Sequence, residues 1–199
     1  AAMGRFRALD MHVDLAWTLV QRGRALALAQ QRAAARASLD EAGQLFGVLA
    51  NTTGAAAVTL AQAELALASA DGERALALAR EASGDFQSAG LREQQLRAET
   101  VQAQALLQLG AHVLARALFD ATLHSARQHQ FLPVQLRCLT GRAMAALAAG
   151  ERVAARPDRV EECFSEWRLC ARRDRGSPSR ACRPARPRAS RRRPRRPAA

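Results

Sequence analysis

The chain has 199 residues, of which 49% are hydrophobic and only 4% are aromatic, and its formal net charge is +12. This length allows one domain of about 150 residues and a further segment. The hydrophobic fraction is largely alanine, and arginine is abundant while lysine and tyrosine are absent. We attribute this usage to a GC-rich, bacterial genome, and a core of small side chains predicts closely packed helices.

The positive charge lies almost entirely in the last quarter of the chain. Residues 1–151 contain 14 arginines and 13 acidic residues, a net charge of +1, whereas residues 152–199 contain 16 arginines and 5 acidic residues, a net charge of +11. The charge therefore does not mark the first 150 residues as a nucleic-acid-binding domain.

The apolar stretches are too short or too interrupted for a secretory signal or a membrane span. Asp10 and Asp14 break the N-terminal stretch, and the most apolar helix, 55–70, falls short of the roughly 18 apolar residues of a span. We expect a soluble, cytoplasmic protein without membrane partners. The opening Ala1-Ala2-Met3 suggests a piece of a longer protein.

Apolar residues at helical spacing predict a series of helices in chain order. Their predicted ranges are 9–30, 34–49, 55–70, 73–89, 91–109, 111–129 and 133–150. Asn51-Thr52-Thr53-Gly54 and Asp71-Gly72 are predicted turns, and Gly23 is a second candidate for the first break, although a turn near Gln31 fits the repeat better. Short turns predict antiparallel hairpins, at about 9–50, 55–89, 91–130 and 133–156.

These hairpins follow a repeat of forty residues. Three sets of equivalent residues establish it: Ala63, Ala103 and Ala143; Leu67, Leu107 and Leu147; Ala75, Ala115 and Ala155. A fixed period of about 20 to 50 residues is typical of stacked repeat proteins.

The repeat fails after Ala155. Charged residues then occupy the positions that are mostly apolar in earlier units, namely Asp158, Arg159, Glu162 and Glu166. Val160, Cys163, Phe164 and Trp167 form a stripe of their own, which favours a capping helix over 157–171 that is out of register. Residues 172–199, rich in Arg and Pro, predict a disordered tail. A further hypothesis is that the reading frame shifts near Arg156.

The repeats resemble tetratricopeptide (TPR) repeats. That family has a small residue midway through its first helix, another at the turn and an alanine early in its second helix, which Ala63, Ala70 and Ala75 match. The forty-residue, alanine-rich unit resembles those of bacterial multi-repeat regulators and of proteins with a caspase-like (CHAT) domain. The resemblance covers residues 9–155 and implies an all-α solenoid of antiparallel hairpins in a right-handed superhelix.

The resemblance also implies a concave groove lined by the first helix of each hairpin. The predicted partner-binding residues are Glu64, Leu67, Arg97, Thr100, Gln104, Gln108, Arg137 and Met144. Such residues suit an acidic or amphipathic peptide, and the alternative is that they form the solvated face of a structural array. We expect a non-enzymatic scaffold for a protein or peptide. The competing class is the sensing or oligomerisation region of a bacterial transcription regulator whose DNA-binding domain lies outside this chain.

No pattern in the chain predicts a catalytic, metal or cofactor site. Cys163, Cys170 and Cys182 are spaced by seven and twelve residues and lack a Cys-x-x-Cys pair. Cys138 is predicted to be a small packing residue, and His124 and His129 are five residues apart, too far around a helix to share a ligand.

The remaining charged groups are also interpreted structurally. Asp40-Glu41 and Asp71-Gly72-Glu73 are predicted to lie at helix starts and turns. Arg191-Arg192-Arg193 and Arg195-Arg196 predict at most nonspecific phosphate contacts. We therefore expect no enzymatic activity, no cofactor and no specific nucleic-acid partner.

Overall fold

The computed structural model describes residues 11–150, which form seven α-helices and contain no strand. The helices are α1 (His12–Leu28), α2 (Arg32–Val48), α3 (Thr52–Ala68), α4 (Gly72–Ser88), α5 (Arg92–Gln108), α6 (His112–Gln128) and α7 (Leu132–Ala148). The prediction of an all-α chain is confirmed for this range. The predicted capping helix at 157–171, the tail at 172–199 and the cysteines at 163, 170 and 182 lie outside the described residues.

All seven helices have 17 residues and end in the same kind of turn. The second residue of each turn has a positive φ, and these residues are Gln30, Ala50, Ala70, Gly90, Gly110, Gln130 and Gly150. In the turn after α2, Asn51 donates its N–H to the carbonyl of Phe46 at 2.9 Å, and Ala50 donates to Gly47 at 3.1 Å. This pair of bonds is the Schellman motif, and it satisfies carbonyls that the helix end leaves free.

Replacing Ala70 with glycine is expected to raise the free energy of unfolding by about 0.5–1 kcal/mol. Ala70 has a φ of 59°, and a left-handed conformation costs a residue with a Cβ roughly 1–2 kcal/mol, of which part is offset by the greater freedom of glycine in the unfolded chain. Urea denaturation followed by circular dichroism measures the change. Ala77→Gly, at an exposed site inside α4, is the control and should lower the midpoint. A loss of similar size for both variants would contradict the assigned conformation of residue 70.

Two segments predicted as turns contribute the first residues of helices. The Asn51 side chain accepts the N–H of Gly54 at 2.8 Å, so Thr52 to Gly54 form the first turn of α3 rather than a break. In the same way, Asp71 accepts the N–H of Arg74 at 3.2 Å. The predicted role of Asp71 at a helix start is confirmed.

The prediction that Asp40 and Glu41 lie at a helix start is wrong. Both residues are in the middle of α2. Gly23 likewise lies inside α1, and the turn falls at residues 29–31, as the forty-residue register predicts. Pro133 occupies the first turn of α7, where its missing N–H is not needed.

The helices are arranged in two sets. Each helix packs against the next one in the sequence, and α1, α3, α5 and α7 also contact one another in succession. The even-numbered helices have no such contacts among themselves within the described residues. We call α1, α3, α5 and α7 the odd helices; they form one continuous layer.

The even helices supply the three largest fully buried side chains of the described residues. Phe46, Phe86 and Phe119 come from α2, α4 and α6 and are fully buried. Small residues of the odd helices receive them: the ring of Phe46 lies directly against the backbone of Gly54, where a Cβ would overlap it. The odd helices also cover one another, so α3 is buried along most of its length and keeps few partly exposed polar residues, among them Glu64.

Candidate partner-binding face

The exposed side of the odd helices carries two rows of residues related by the forty-residue repeat. The first row is Arg24, Glu64, Gln104 and Met144, with one residue on each odd helix. The second row is Trp17, Ala57, Arg97 and Arg137, of which Ala57 is buried and Trp17 packs against the core, so that only Arg97 and Arg137 contribute to the exposed side. Because equivalent positions on stacked units face the same way, these rows define a single surface, which we call the odd-helix face.

Four charged residues meet on this face, one from each odd helix. Arg24 on α1 donates from Nε to Oε2 of Glu64 on α3 at 3.1 Å. Arg97 on α5 donates to Oε1 of the same carboxylate, from Nε at 3.2 Å and from Nη2 at 2.6 Å. Nη1 of Arg137 on α7 lies 3.8 Å from Oε1. We call Arg24, Glu64, Arg97 and Arg137 the arginine cluster.

The arginine cluster holds more positive than negative charge. Three guanidinium groups surround one carboxylate, which gives the four residues a net charge of +2. Burial lowers the pKa of Arg24 below its usual value, Glu64 opposes that shift, and the neighbouring charges of Arg97 and Arg137 lower it further. Burial is the main cause of the shift, and Glu64 is the strongest of the charged neighbours that act on Arg24.

Arg137 is the most accessible member of the cluster. Its side chain is 45% exposed, whereas those of Arg24, Glu64 and Arg97 are at most 31% exposed. The distance of 3.8 Å to Glu64 is too long for a hydrogen bond, and Arg137 makes no side-chain hydrogen bond to any other residue in the range 11–150. Of the four side chains in the cluster, that of Arg137 is therefore the most accessible to a ligand.

The structure brings together three of the eight residues predicted for the groove, Glu64, Arg97 and Arg137. Gln104 and Met144 lie in the same row as Glu64, so they belong to the same face. Leu67 and Gln108 are joined at its edge, where the Gln108 side chain donates to the Leu67 carbonyl at 2.9 Å.

The prediction for Thr100 is wrong. Its side chain is fully buried, and its hydroxyl donates to the carbonyl of Arg97 at 2.7 Å. Thr100 cannot meet a partner directly. Its equivalent in α7, Thr140, is exposed, because α7 lacks a following helix within the described residues to cover that side.

Sequence reasoning missed Arg24, which lies deepest in the cluster. The signal was available, since Arg24 occupies the position of Glu64 one unit earlier in the forty-residue repeat. An arginine and a glutamate at equivalent positions of adjacent odd helices are expected to pair.

Exposed apolar side chains lie on α7, the last described helix. Leu136 and Leu147 are 56% and 68% exposed, and Met144 is 58% exposed. In α5, Leu96 occupies the position of Leu136 and is completely buried against α6. The exposed side of Leu136 therefore corresponds to the core side of α5, whereas Met144 lies in the row of Gln104 on the odd-helix face.

The other candidate groups are structural. Cys138 is buried in the core between α6 and α7, as predicted for a packing residue. Burial, aided by the charge of Glu99, raises the pKa of its thiol to about 11, against the opposing effect of Arg142. His129 stacks on Phe131 with ring centroids 5.6 Å apart, and His124 pairs with Gln128 one helical turn later.

The described part of the chain has neither a metal-binding group nor a membrane-spanning helix. Within residues 11–150, no three His, Cys, Asp or Glu side chains are grouped closely enough to hold a metal ion. None of the seven helices combines the length and apolar character that crossing a membrane requires. Comparison with known proteins found neither a protein family nor a curated protein that matches this chain.

Proposed function

We propose that this chain is a non-enzymatic, cytoplasmic scaffold that binds a peptide or protein partner across its odd-helix face. The observation that carries the proposal is the arginine cluster, to which all four odd helices contribute one residue. These groups come from four helices that are adjacent in one layer, and an extended ligand that crosses the layer can contact all of them. Repeat proteins recognise extended peptides on surfaces of this kind.

The geometry of the cluster supports a concave face. Helices in contact lie roughly 10 Å apart, so α3 and α7 would be about 20 Å apart in a flat layer. These two helices make no direct backbone contact, yet Arg137 of α7 reaches within 3.8 Å of Glu64 of α3. Curvature towards the odd-helix face brings such side chains together.

Concave curvature also agrees with the tetratricopeptide-repeat resemblance. We propose that the helices stack as antiparallel hairpins in a right-handed superhelix, with the odd helices as the first helix of each unit. Contacts between successive odd helices, without contacts between successive even helices, support that arrangement. On a curved array the inner layer is compressed and the outer layer is spread apart.

Selection from a random peptide library displayed on phage tests the proposal. The full chain is used as bait, and the dissociation constants of selected peptides are then measured by fluorescence anisotropy. Gln104→Glu and Met144→Glu alter the odd-helix face and are expected to change the dissociation constant about tenfold, equivalent to roughly 1.4 kcal/mol. Gln87→Glu makes the same chemical change as Gln104→Glu at an exposed site of α4 and should leave the constant unaltered.

Two outcomes would contradict the proposal. The first is that no peptide survives selection against the full chain. The second is that selected peptides respond to Gln87→Glu but not to Gln104→Glu and Met144→Glu, which would place the binding surface on the even helices.

A further inference from the structure

We infer that the arginine cluster recognises carboxylate side chains, so that the partner is a peptide segment with acidic residues next to apolar ones. This inference rests on the proposed function and specifies the chemistry of its ligand. Glu64 is then the internal counter-ion of the cluster, and an aspartate or glutamate of the partner supplies the second carboxylate.

The number of hydrogen-bond donors leaves room for a second carboxylate. An arginine side chain has five N–H donors in a planar fork. Glu64 accepts one bond from Arg24 and two from Arg97, and both bonds from Arg97 go to the same oxygen, Oε1. Arg137 contributes no hydrogen bond to Glu64, because their separation is 3.8 Å. Most donors of the cluster are therefore not used by Glu64.

Charge favours the same conclusion. The net charge of +2 is held at side chains that are 19–45% exposed, where water screens the repulsion only in part. An incoming carboxylate lowers this repulsion and can form charge-assisted, two-pronged bonds with the free edge of a guanidinium. Arg137 offers such an edge at the surface, and the half-buried Arg97 lies behind it.

The surroundings of the cluster favour a peptide over a nucleic acid. Met144, Leu136 and Leu147 are exposed on the same helix as Arg137, and they suit apolar side chains rather than a phosphodiester backbone. Glu64 itself would repel a polyphosphate, whereas a single carboxylate can bind beside it. We therefore place the acidic residue of the ligand over Arg97 and Arg137 and its apolar residues over α7.

The binding of two labelled synthetic peptides to the full chain tests this inference. One peptide has two adjacent glutamates followed by two leucines, and the other has glutamines in place of the glutamates. By anisotropy at low salt, the glutamate peptide is expected to bind at least about tenfold more tightly, and the difference should shrink as salt rises. Equal affinity of the two peptides would overturn the inference.

Four variants locate the site. Arg97→Gln and Arg137→Gln should each weaken binding of the glutamate peptide about fivefold or more, while Arg80→Gln, at an exposed site of α4, should not. Glu64→Gln removes the internal counter-ion and should strengthen binding. Arg137→Gln keeps the test decisive even where Glu64→Gln impairs folding, because the Arg137 side chain is exposed and makes no hydrogen bond with the other described residues. Unchanged binding in Arg137→Gln would overturn the inference.

A single-stranded DNA oligonucleotide and inorganic phosphate complete the experiment. If the oligonucleotide or phosphate binds more tightly than the glutamate peptide, and if Arg137→Gln weakens that binding, the cluster recognises phosphate rather than carboxylate groups. That result would overturn the inference. Library peptides that respond to Gln104→Glu and Met144→Glu but not to Arg97→Gln or Arg137→Gln would leave the scaffold proposal standing and contradict only the inference about carboxylates.

Discussion

Replacing Leu96 with alanine is expected to lower the free energy of unfolding by about 2–5 kcal/mol, whereas Leu136→Ala should lower it by less than about 1 kcal/mol. The two leucines occupy the same position in units forty residues apart. Leu96 is fully buried in the core that α5 and α6 form, and Leu136 is 56% exposed on α7. Helix propensity cannot cause the difference, because both variants replace leucine with alanine inside a helix.

Chemical denaturation of the full chain, followed by circular dichroism, measures both losses. Leu136→Ala would contradict this expectation by costing as much as Leu96→Ala. Such a result would mean that the exposed side of α7 is covered in solution, either by a second copy of the chain or by residues outside 11–150. The dependence of the denaturation midpoint on protein concentration distinguishes these two cases. A midpoint that rises with concentration indicates a second copy of the chain, and a constant midpoint indicates residues outside 11–150.

The second large effect is expected from Gly54→Ala, which should lower the free energy of unfolding by about 1–3 kcal/mol. A Cβ at this position would overlap the ring of Phe46. That ring has little freedom to move, since it is fully buried and packs edge-on against Trp17 with centroids 5.2 Å apart. Overpacking therefore outweighs the gain in helix propensity that alanine normally brings.

Gly84→Ala is the matched control for Gly54→Ala. Gly84 lies inside α4, and nothing stands within 4 Å of the site where its Cβ would be. We expect Gly84→Ala to raise the free energy of unfolding by up to about 1 kcal/mol. The double variant Gly54→Ala, Phe46→Leu should recover part of the loss, because a smaller side chain leaves space for the added methyl group. A stabilising effect of Gly54→Ala alone would show that Phe46 and Gly54 are not in contact.

The helices were predictable from the sequence because apolar spacing and turn residues agree along 11–150. The predicted ranges differ from the observed ones by at most three residues at either end. The errors occur where one residue type serves two purposes. Asparagine and aspartate favour both turns and helix N-caps, so Asn51 was assigned to a break although it caps α3, and Asp40 was assigned to a helix start although it lies within α2.

The candidate site was only partly predictable. The forty-residue repeat predicts that Glu64, Gln104 and Met144 lie on one face, because they occupy equivalent positions in successive units. Arg24 occupies the same position one unit earlier, but it is absent from the predicted partner-binding residues. Thr100 was assigned to that face because periodicity locates a residue around its own helix but does not report which neighbouring helix covers it. In α5 both flanks are covered, and Thr100 is buried; in α7 the equivalent Thr140 is exposed.

The sequence by itself determined the number, length and order of the helices in 11–150, since local spacing, capping and turn preferences act between residues close in the chain. Only the tertiary structure decided that Arg24, Glu64, Arg97 and Arg137 meet. Arg24 and Arg137 are more than one hundred residues apart in the chain, and they share a carboxylate because four odd helices pack into one layer. Burial and charge at such a meeting point depend on the packing of whole helices against one another.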